Sequence, residues 1–219
     1  KGEIEMKYMS AKEEDILTNI NLLKNGTVID KLLQSMIITS INYDDLLISD
    51  KNALLIAARI LGYGKDYEFE YEEEKITFDL TTIEPLPLSD KLQPGKNEFD
   101  FQLPKSRAVV TFKLLTHGDE KKIDKEIAGL KKINPQGSFD ITTRLKHTII
   151  AINGTRDISV VRDFVDSMLV ADSRELKKYI ASITPDLNLK FNFTKANGDV
   201  VEGVSLPIGL SFLWPDTSL

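Results

Sequence analysis

The chain contains no cysteine among its 219 residues. Disulfides, thiolate nucleophiles and cysteine-ligated zinc or iron–sulfur centres are therefore excluded. Long apolar runs are also missing, since none reaches the roughly 18 residues that a membrane-spanning helix needs. The longest candidate, residues 53–61, is short and contains Arg59. We therefore expect no membrane insertion, and the polar residues 1–5 do not resemble a secretory leader.

An excess of positive charge is missing as well. The chain has 34 acidic and 28 basic side chains, which gives a formal net charge of -6. Such a balance lacks the electrostatic signature of a protein that binds nucleic acid or an anionic membrane. What is present is a hydrophobic content of 42%, which is enough to bury a substantial core in one large domain or two small lobes.

Hydrophobic periodicity predicts blocks of helices that alternate with antiparallel β-hairpins. Ser10 to Glu13 forms a capping-box sequence, which predicts a helix that continues to about residue 24. Strands and helices do not alternate as they do in parallel βαβ units, so the predicted fold class is α+β with a mostly antiparallel sheet. We expect strands near 3–9, 67–71, 76–80, 97–103, 107–115, 187–193 and 200–206, and further helices near 27–37, 50–61, 116–133, 138–152, 158–169 and 173–183.

The order of helices followed by a hairpin occurs twice along the chain. We therefore predict a first block at 1–115, with helices and β-hairpins, and a second at 116–219, with helices, a C-terminal hairpin and an apolar tail. The similarity in element order between the two blocks is weak, and a single compact unit is the alternative.

The chain has two histidines, His117 and His147, and they lack the spacing of a helical metal pair. We predict a turn or cap role for His117 and a partly exposed helical position for His147. Asp44-Asp45 is predicted to cap or open a helix, and residues 72–74, all glutamate, to form a solvated hairpin tip. The sequence therefore predicts no metal site.

Motifs for nucleophilic catalysis or phosphate binding are also absent from the sequence. No Gly-x-Ser-x-Gly elbow is present, and Gly62-Tyr63-Gly64 follows a predicted helix, which indicates a helix end and a turn. Acidic residues interleave with five lysines after residue 118, and this mixture is typical of a solvated helix face. We therefore predict no catalytic residue, no cofactor, no small-molecule substrate and no nucleic-acid partner. The five lysines are Lys121, Lys122, Lys125, Lys131 and Lys132.

Two apolar segments are candidate contact sites with other proteins. The C-terminal segment holds the only tryptophan, and it can dock either onto its own domain or onto a neighbour, where tryptophan acts as an anchor. The proline-rich loop at 84–96 is long, and loops of that length are usually functional or disordered. The candidate interface residues are Phe212, Leu213, Trp214, Pro215, Pro85, Leu86, Pro87 and Leu88.

Several segments, in order along the chain, resemble the baseplate hub subunit of T-even-like contractile-tailed bacteriophages. They cover nearly the whole chain, and their order is more specific than any one of them. Some members of that family look zinc-ribbon-like, with paired cysteines in their hairpins, whereas 67–80 and 191–201 have none here. The segments are residues 3–5, 11–17, 54–64 with Tyr67, 101–106, 112–116 with Asp119 and Glu120, and 212–215.

The resemblance implies a non-enzymatic structural protein of the virion tail baseplate, assembled in the cytoplasm of the bacterial host. Its expected partners are other baseplate and tail proteins, and self-association into a ring or multimer is a further expectation. Three alternatives stay open: an assembly factor that leaves the finished particle, a tail-associated cell-wall hydrolase and a nucleic-acid-binding module. A hydrolase needs a pair of carboxylates with separated pKa values across a cleft, which sequence spacing does not reveal.

Trp214→Ala tests whether the C-terminal segment contacts a neighbour. If it does, the substitution weakens incorporation into the hub more than it lowers the melting temperature of the isolated chain. Incorporation is measured by mass spectrometry of purified particles. Unchanged incorporation with a large fall in melting temperature would place Trp214 in the chain's own core.

Overall fold

The structure is a computed structural model that describes residues 2–72, 74–195, 197–208 and 210–213. The chain forms two compact units, each built from separated segments. Unit 1 consists of Lys1–Ile41, Asp50–Leu86 and Asp186–Leu219, and unit 2 of Asn42–Ser49 and Pro87–Pro185. The sequence blocks 1–115 and 116–219 are a different division, and each compact unit takes residues from both.

Helices and antiparallel hairpins alternate in blocks through the described part of the chain, which confirms the α+β class. In chain order the elements are α1 Ala11–Leu17, α2 Ile20–Lys24, α3 Val28–Met36, α4 Ile48–Tyr63, β1 Asp66–Tyr71, β2 Glu74–Asp79, β3 Phe99–Gln102, β4 Val109–Phe112, α5 His117–Ile133, α6 Asp140–Thr148, β5 Ile149–Ile152, α7 Ile158–Ser167, α8 Val170–Ile183, β6 Lys190–Thr194, β7 Val200–Ser205 and α9 Leu210–Leu213.

The capping box at the start of α1 is confirmed. The fully buried Glu13 carboxylate accepts hydrogen bonds from the Ser10 backbone N–H at 3.0 Å and from Lys7 Nζ at 2.8 Å. Burial acts to raise the pKa of Glu13, but these hydrogen bonds outweigh it and lower the pKa to about 2. Glu13 therefore stays charged and fixes the first turn of the helix.

Two details of the N-terminal prediction are wrong. The expected helix at 11–24 is broken, because Asn19 Oδ1 accepts from the backbone N–H groups of Asn21 and Leu22 and starts a second helix. The expected strand at 3–9 is reduced to one isolated bridge between Met6 and Ile37. Its hydrophobic alternation therefore supports a single point of pairing and no continuous ladder.

In unit 1 the two hairpins, β1–β2 and β6–β7, share an aromatic cluster. The Phe69 and Phe191 rings meet edge to face with centroids 5.5 Å apart, and Tyr71 and Phe193 do the same at 5.6 Å. Both hairpins were predicted from their alternating pattern and are confirmed. A two-stranded hairpin is marginal alone in water, so each one needs the other's aromatic face.

Unit 1 also buries an arginine. Arg59 in α4 is only 3% exposed, and its guanidinium carbon lies 5.0 Å from the Tyr63 ring centroid and 5.8 Å from that of Tyr67. Burial lowers the pKa of Arg59, while the two tyrosines act in the opposite direction. The cation is therefore accommodated by aromatic faces, which explains how an otherwise apolar helix tolerates it.

Unit 2 is built on a three-stranded antiparallel sheet in the order β3-β4-β5. Strand β5 corrects the prediction of a helix at 138–152, because that helix, α6, ends at Thr148. The run Ile149–Ile152 is mostly β-branched, and pairing with β4 buries Ile149 and Ile152. The pairing shifts register between Thr111 and Phe112, which leaves Ile150 as an extra residue in β5, a β-bulge.

One hydrophobic cluster lies between this sheet and helices of unit 2. Tyr179 of α8 covers its edge, with its ring stacked on Phe101 at a centroid distance of 4.7 Å. The buried members are Phe99, Leu103, Val110, Phe112, Leu114, Leu145, Ile149, Ile152, Val161, Val165, Leu176 and Ile183.

A buried carboxylate anchors the loop between β3 and β4. Asp172 in α8 is fully buried, and its two oxygens accept from the backbone N–H groups of Lys105 at 2.7 Å and Ser106 at 2.9 Å. Burial acts to raise the pKa of Asp172, but these backbone hydrogen bonds outweigh it and the pKa is lowered. The anchor also supports Arg107, which has a positive φ of 62°.

Asp172→Asn replaces a carboxylate that accepts two hydrogen bonds by an amide of similar size. The amide NH₂ group of asparagine is a donor and cannot accept from one of the two loop N–H groups, which is left buried without an acceptor. We therefore expect a loss of about 2–3 kcal/mol in the free energy of unfolding. Urea unfolding measures the loss. Glu175→Gln, one turn later on α8 and only partly buried, is the control and changes stability by less than about 0.5 kcal/mol. Equal effects of the two substitutions would contradict the anchoring role.

Candidate interaction surfaces

The predicted contact segment at 85–88 lies at the surface. All four of its residues are exposed, and the side chains of Leu86 and Leu88 are 42% and 69% exposed. In unit 1, the Leu86 backbone N–H donates to the Asp186 carbonyl at 2.8 Å. Leu86 is therefore displayed from a backbone that hydrogen bonds hold in place.

The C-terminal candidates divide into two groups. Phe212 and Leu213 are fully buried, and the Phe212 ring meets the Tyr67 ring edge to face at 4.8 Å. These two residues pack within unit 1, so they do not offer an exposed surface in the isolated chain. Trp214 and Pro215 lie outside the described residues.

The histidines occupy structural positions. His117 is the first residue of α5 and is buried, with its ring edge to face with Tyr43 at 4.8 Å. His147 lies in α6, where its Nε2 is 2.9 Å from Glu126 Oε2. Within the described residues, no group of three or more histidine, aspartate or glutamate side chains is placed to hold a metal ion.

The other sequence motifs are parts of turns. Asp44 and Asp45 form a single 3-10 turn, in which Asp44 pairs with Lys121 at 3.1 Å. Glu72 is the turn residue of the first hairpin, with a φ of 48°. Helix α4 ends at Tyr63, and Gly64 follows with a φ of 86°, a left-handed conformation that favours glycine.

Helix α5 presents its charges in two directions. Its five lysines at 121, 122, 125, 131 and 132 are exposed, whereas three of its acids, at 119, 120 and 126, pair with other elements of unit 2. Asp119 accepts from Lys113 Nζ at 2.7 Å, and Glu120 makes a two-pronged ion pair with Arg144 of α6. These three acids therefore connect α5 to its neighbours, and among the lysines Lys121 adds a contact to Asp44.

Glu126 is the meeting point of three helices. Arg162 of α7 donates from both terminal nitrogens to the Glu126 oxygens, at 2.8 and 2.7 Å, and His147 of α6 lies against the same carboxylate. The hydrogen bonds from Arg162 lower the pKa of Glu126 to about 2, burial opposes them, and His147 adds to the lowering. The arrangement fixes α5, α6 and α7 to one another through charge-assisted hydrogen bonds.

A groove of about 430 Å³ opens beside this junction in unit 2, and we call it the basic groove. Among the residues that the structure describes, Asp119 is the one acidic residue in its lining. Burial acts to raise the pKa of Asp119, but hydrogen bonds from Lys113 and Thr116 outweigh it, so Asp119 is a fixed negative charge. The lining residues are Lys113, Asp119, Lys122, Lys146, His147, Ile149, Ile150, Arg156, Ile158, Val161 and Arg162.

Sequence reasoning did not find the basic groove or the Glu126 junction. The lysines and arginines of the groove come from five places: the residue after β4, the helices α5, α6 and α7, and the turn before α7. Glu126 and Arg162 are 36 residues apart and lie on different helices. A separation of that length follows no helical or strand period, so the sequence does not pair the two residues, and only tertiary packing brings them together.

No protein-family model, no curated protein and no solved structure matches the chain. In the described part of the chain, every helix is too short or too polar to cross a bilayer.

Glu126→Gln tests the three-helix junction. The folded-state pKa of Glu126 is about 2, below the ordinary value of 4.5, so its charge stabilises the fold above pH 4.5, and this contribution is lost as the pH falls toward 2. We expect the variant to lose about 1 kcal/mol of unfolding free energy at neutral pH, a modest loss because the side chain is partly solvated. The difference from the unmodified chain narrows as the pH falls.

Denaturant unfolding across this pH range measures the effect. Asp163→Asn removes an exposed carboxylate next to Arg162 on α7 and is the control. We expect it to change stability by less than about 0.5 kcal/mol at each pH. A loss for Glu126→Gln that is the same at every pH would contradict the role of its charge.

Proposed function

We propose that the chain is a non-enzymatic structural subunit of the baseplate hub of a contractile-tailed bacteriophage. It acts through protein–protein contacts during tail assembly. The observation that carries the proposal is the exposed Pro85-Leu86-Pro87-Leu88 segment, in which Leu86 and Leu88 are presented to solvent. The backbone of Leu86 is held by a hydrogen bond to Asp186. An exposed aliphatic side chain on such a backbone is suited to anchor a partner, because little conformational entropy is lost on binding.

The state of the carboxylates also favours a structural role. A general acid needs a carboxyl pKa raised toward neutrality. Glu13 and Glu126 have pKa values lowered to about 2, and each one holds cations that belong to neighbouring turns or helices. Such groups stay charged at neutral pH and act as fixed links between elements.

The resemblance of the ordered sequence segments to the hub family supplies the expected partners. These are other baseplate and tail proteins, with self-association into a ring or multimer as a further contact. Many copies in one particle raise the effective concentration of individually weak contacts. The site of action under this proposal is the virion tail baseplate, assembled in the host cytoplasm.

An affinity-tagged copy expressed during infection tests the proposal. Mass spectrometry identifies the proteins that co-purify with it and measures the chain in purified virions. We expect baseplate proteins in the eluate and the chain in virions. Recovery with those proteins but absence from virions would make it an assembly factor, and recovery of no tail protein would contradict the hub assignment. Clearing of peptidoglycan by the purified chain would favour a wall hydrolase.

Leu86→Asp/Leu88→Asp tests the contact segment. We expect recovery of baseplate proteins to fall at least about fivefold, since two anchors of about 1 kcal/mol each are lost, while the melting temperature stays unchanged. Ile133→Asp, an 85% exposed isoleucine at the end of α5, is the matched control and leaves recovery unchanged. Full recovery with the double variant would remove 85–88 from the interface.

A further inference from the structure

The basic groove of unit 2 collects cationic side chains from several elements. Lys122 and Arg156 are its most exposed cations, at 70% and 59% of the side-chain surface. Arg162 is 37% exposed, and Lys113 and Lys146 are more enclosed. Among the described residues, the lining has five lysines and arginines and one carboxylate, that of Asp119, which lies 2.7 Å from Lys113 Nζ and 3.9 Å from Lys122 Nζ. The lining itself therefore has an excess of positive side chains, although the chain as a whole is acidic.

Carboxylates outside the groove hold several of these cations in place. Glu98 binds Arg156 through both terminal nitrogens, Glu126 does the same for Arg162, and Asp166 pairs with Lys146 at 2.6 Å. None of these three acids belongs to the lining among the described residues. A two-pronged pair uses two of the five N–H donors of a guanidinium, so each arginine is oriented and keeps donors for a ligand.

The floor of the groove is apolar. Ile149 and Val161 are buried beneath it, and the bulge residue Ile150 lines it from the edge strand. Ile158, in the first turn of α7, is 74% exposed beside the cations. A ligand that only neutralised the charges would leave these aliphatic surfaces in water.

We propose that the basic groove binds an acidic segment of a partner protein that carries carboxylates and aliphatic side chains together. The carboxylates meet the free donors of Lys122, Arg156 and Arg162, and an aliphatic side chain covers Ile150 and Ile158. Desolvated contacts of both kinds in one groove provide affinity and specificity. The inference does not depend on the hub assignment, because it is drawn from the residues of unit 2 alone.

A peptide fits these observations better than a nucleic acid or a simple anion does. Single-stranded nucleic acid is held by stacking on aromatic rings as well as by cations. Within the described part of the chain, His147 contributes the one aromatic ring of the groove lining. An inorganic anion needs converging donors but no apolar floor. The groove combines lysine and arginine side chains held by ion pairs with an exposed isoleucine. A peptide can present carboxylates to the first and an aliphatic side chain to the second.

Selection from a displayed library of random peptides of about 12 residues tests the proposal on the full chain. We expect the enriched peptides to carry a net negative charge and at least one aliphatic residue. Fluorescence anisotropy of an enriched peptide then gives its dissociation constant. A peptide with the same acids but serine in place of the aliphatic residues should bind several-fold more weakly.

Lys122→Gln/Arg156→Gln is the groove variant, and both side chains are exposed enough for the fold to survive their loss. We expect its affinity for the enriched peptide to fall about tenfold. Lys125→Gln/Lys131→Gln removes the same total charge from exposed positions of α5 outside the groove, and it should change affinity less than about twofold. Ile158→Ser should also weaken binding, whereas Val170→Ser, at an equally exposed valine, should not.

Three outcomes would overturn the proposal. The first is enrichment of peptides without acidic character, or no enrichment at all. The second is equal binding of the enriched peptide to the groove variant and to the lysine control, which would show long-range attraction only. The third is tighter binding of a competitor than of the enriched peptide. Displacement of the peptide by an oligothymidylate at a concentration below the peptide's dissociation constant would assign the groove to nucleic acid, and the same result with inorganic phosphate would assign it to a free anion.

Discussion

The aromatic contact between the two hairpins of unit 1 is the constraint on which the organisation of the chain depends. Phe69 and Tyr71 of β1 meet Phe191 and Phe193 of β6, and these partners are more than 100 residues apart in sequence. No cysteine is available to cross-link either hairpin. Each hairpin has to bury its aromatic face against the other, so the C-terminal segment belongs to the unit that the N-terminal segment begins. The residues of unit 2 consequently lie in two segments, 42–49 and 87–185, each of which separates two segments of unit 1.

Elements with a strong local period were predictable from sequence. The alternation in β1 to β2 and in β6 to β7 identified both hairpins, and the capping-box sequence identified the start of α1. Strand β5 was missed because its four residues follow a helix directly, and a short apolar run has no period that separates a strand from a helix end. The break at Asn19 was missed because a side chain's competition for backbone N–H groups leaves the hydrophobic pattern unchanged.

The candidate surfaces divide in the same way. The exposed segment at 85–88 was predictable, because prolines and aliphatic residues outside any periodic pattern indicate a loop that is not part of the core. Burial of Phe212 against Tyr67 was one of two open alternatives, and only the packing of unit 1 decides between them for that residue. The Glu126 junction and the basic groove depend on ion pairs between helices. Which residues form these ion pairs depends on how the helices pack, and the spacing of charged residues along the sequence does not predict it.

The two units differ in charge, and the net charge of the whole chain does not reveal the difference. Unit 1 has 19 acidic and 11 basic residues in its sequence, whereas unit 2 has 15 and 17. A net charge of -6 therefore argues against a basic surface only when the charges are mixed evenly, and here they are not. The lysines of α5 were correctly interpreted as exposed, but three acids of the same helix pair with other elements of unit 2: Asp119 with Lys113, Glu120 with Arg144 and Glu126 with Arg162.

The discontinuity of unit 1 has a consequence for how the chain is made. During synthesis, residues 42–49 and 87–185 leave the ribosome before the second hairpin of unit 1 exists, so unit 2 has all its strands and helices available first. Unit 1 remains incomplete until residues 190–205 emerge, and the aromatic face of its first hairpin is unpaired for that interval. An exposed two-stranded edge with aromatic side chains is a template for mispairing between nascent chains. The glutamates that alternate with those aromatics place charge on the opposite face of that hairpin, and charge of this kind beside an apolar strand disfavours pairing between copies.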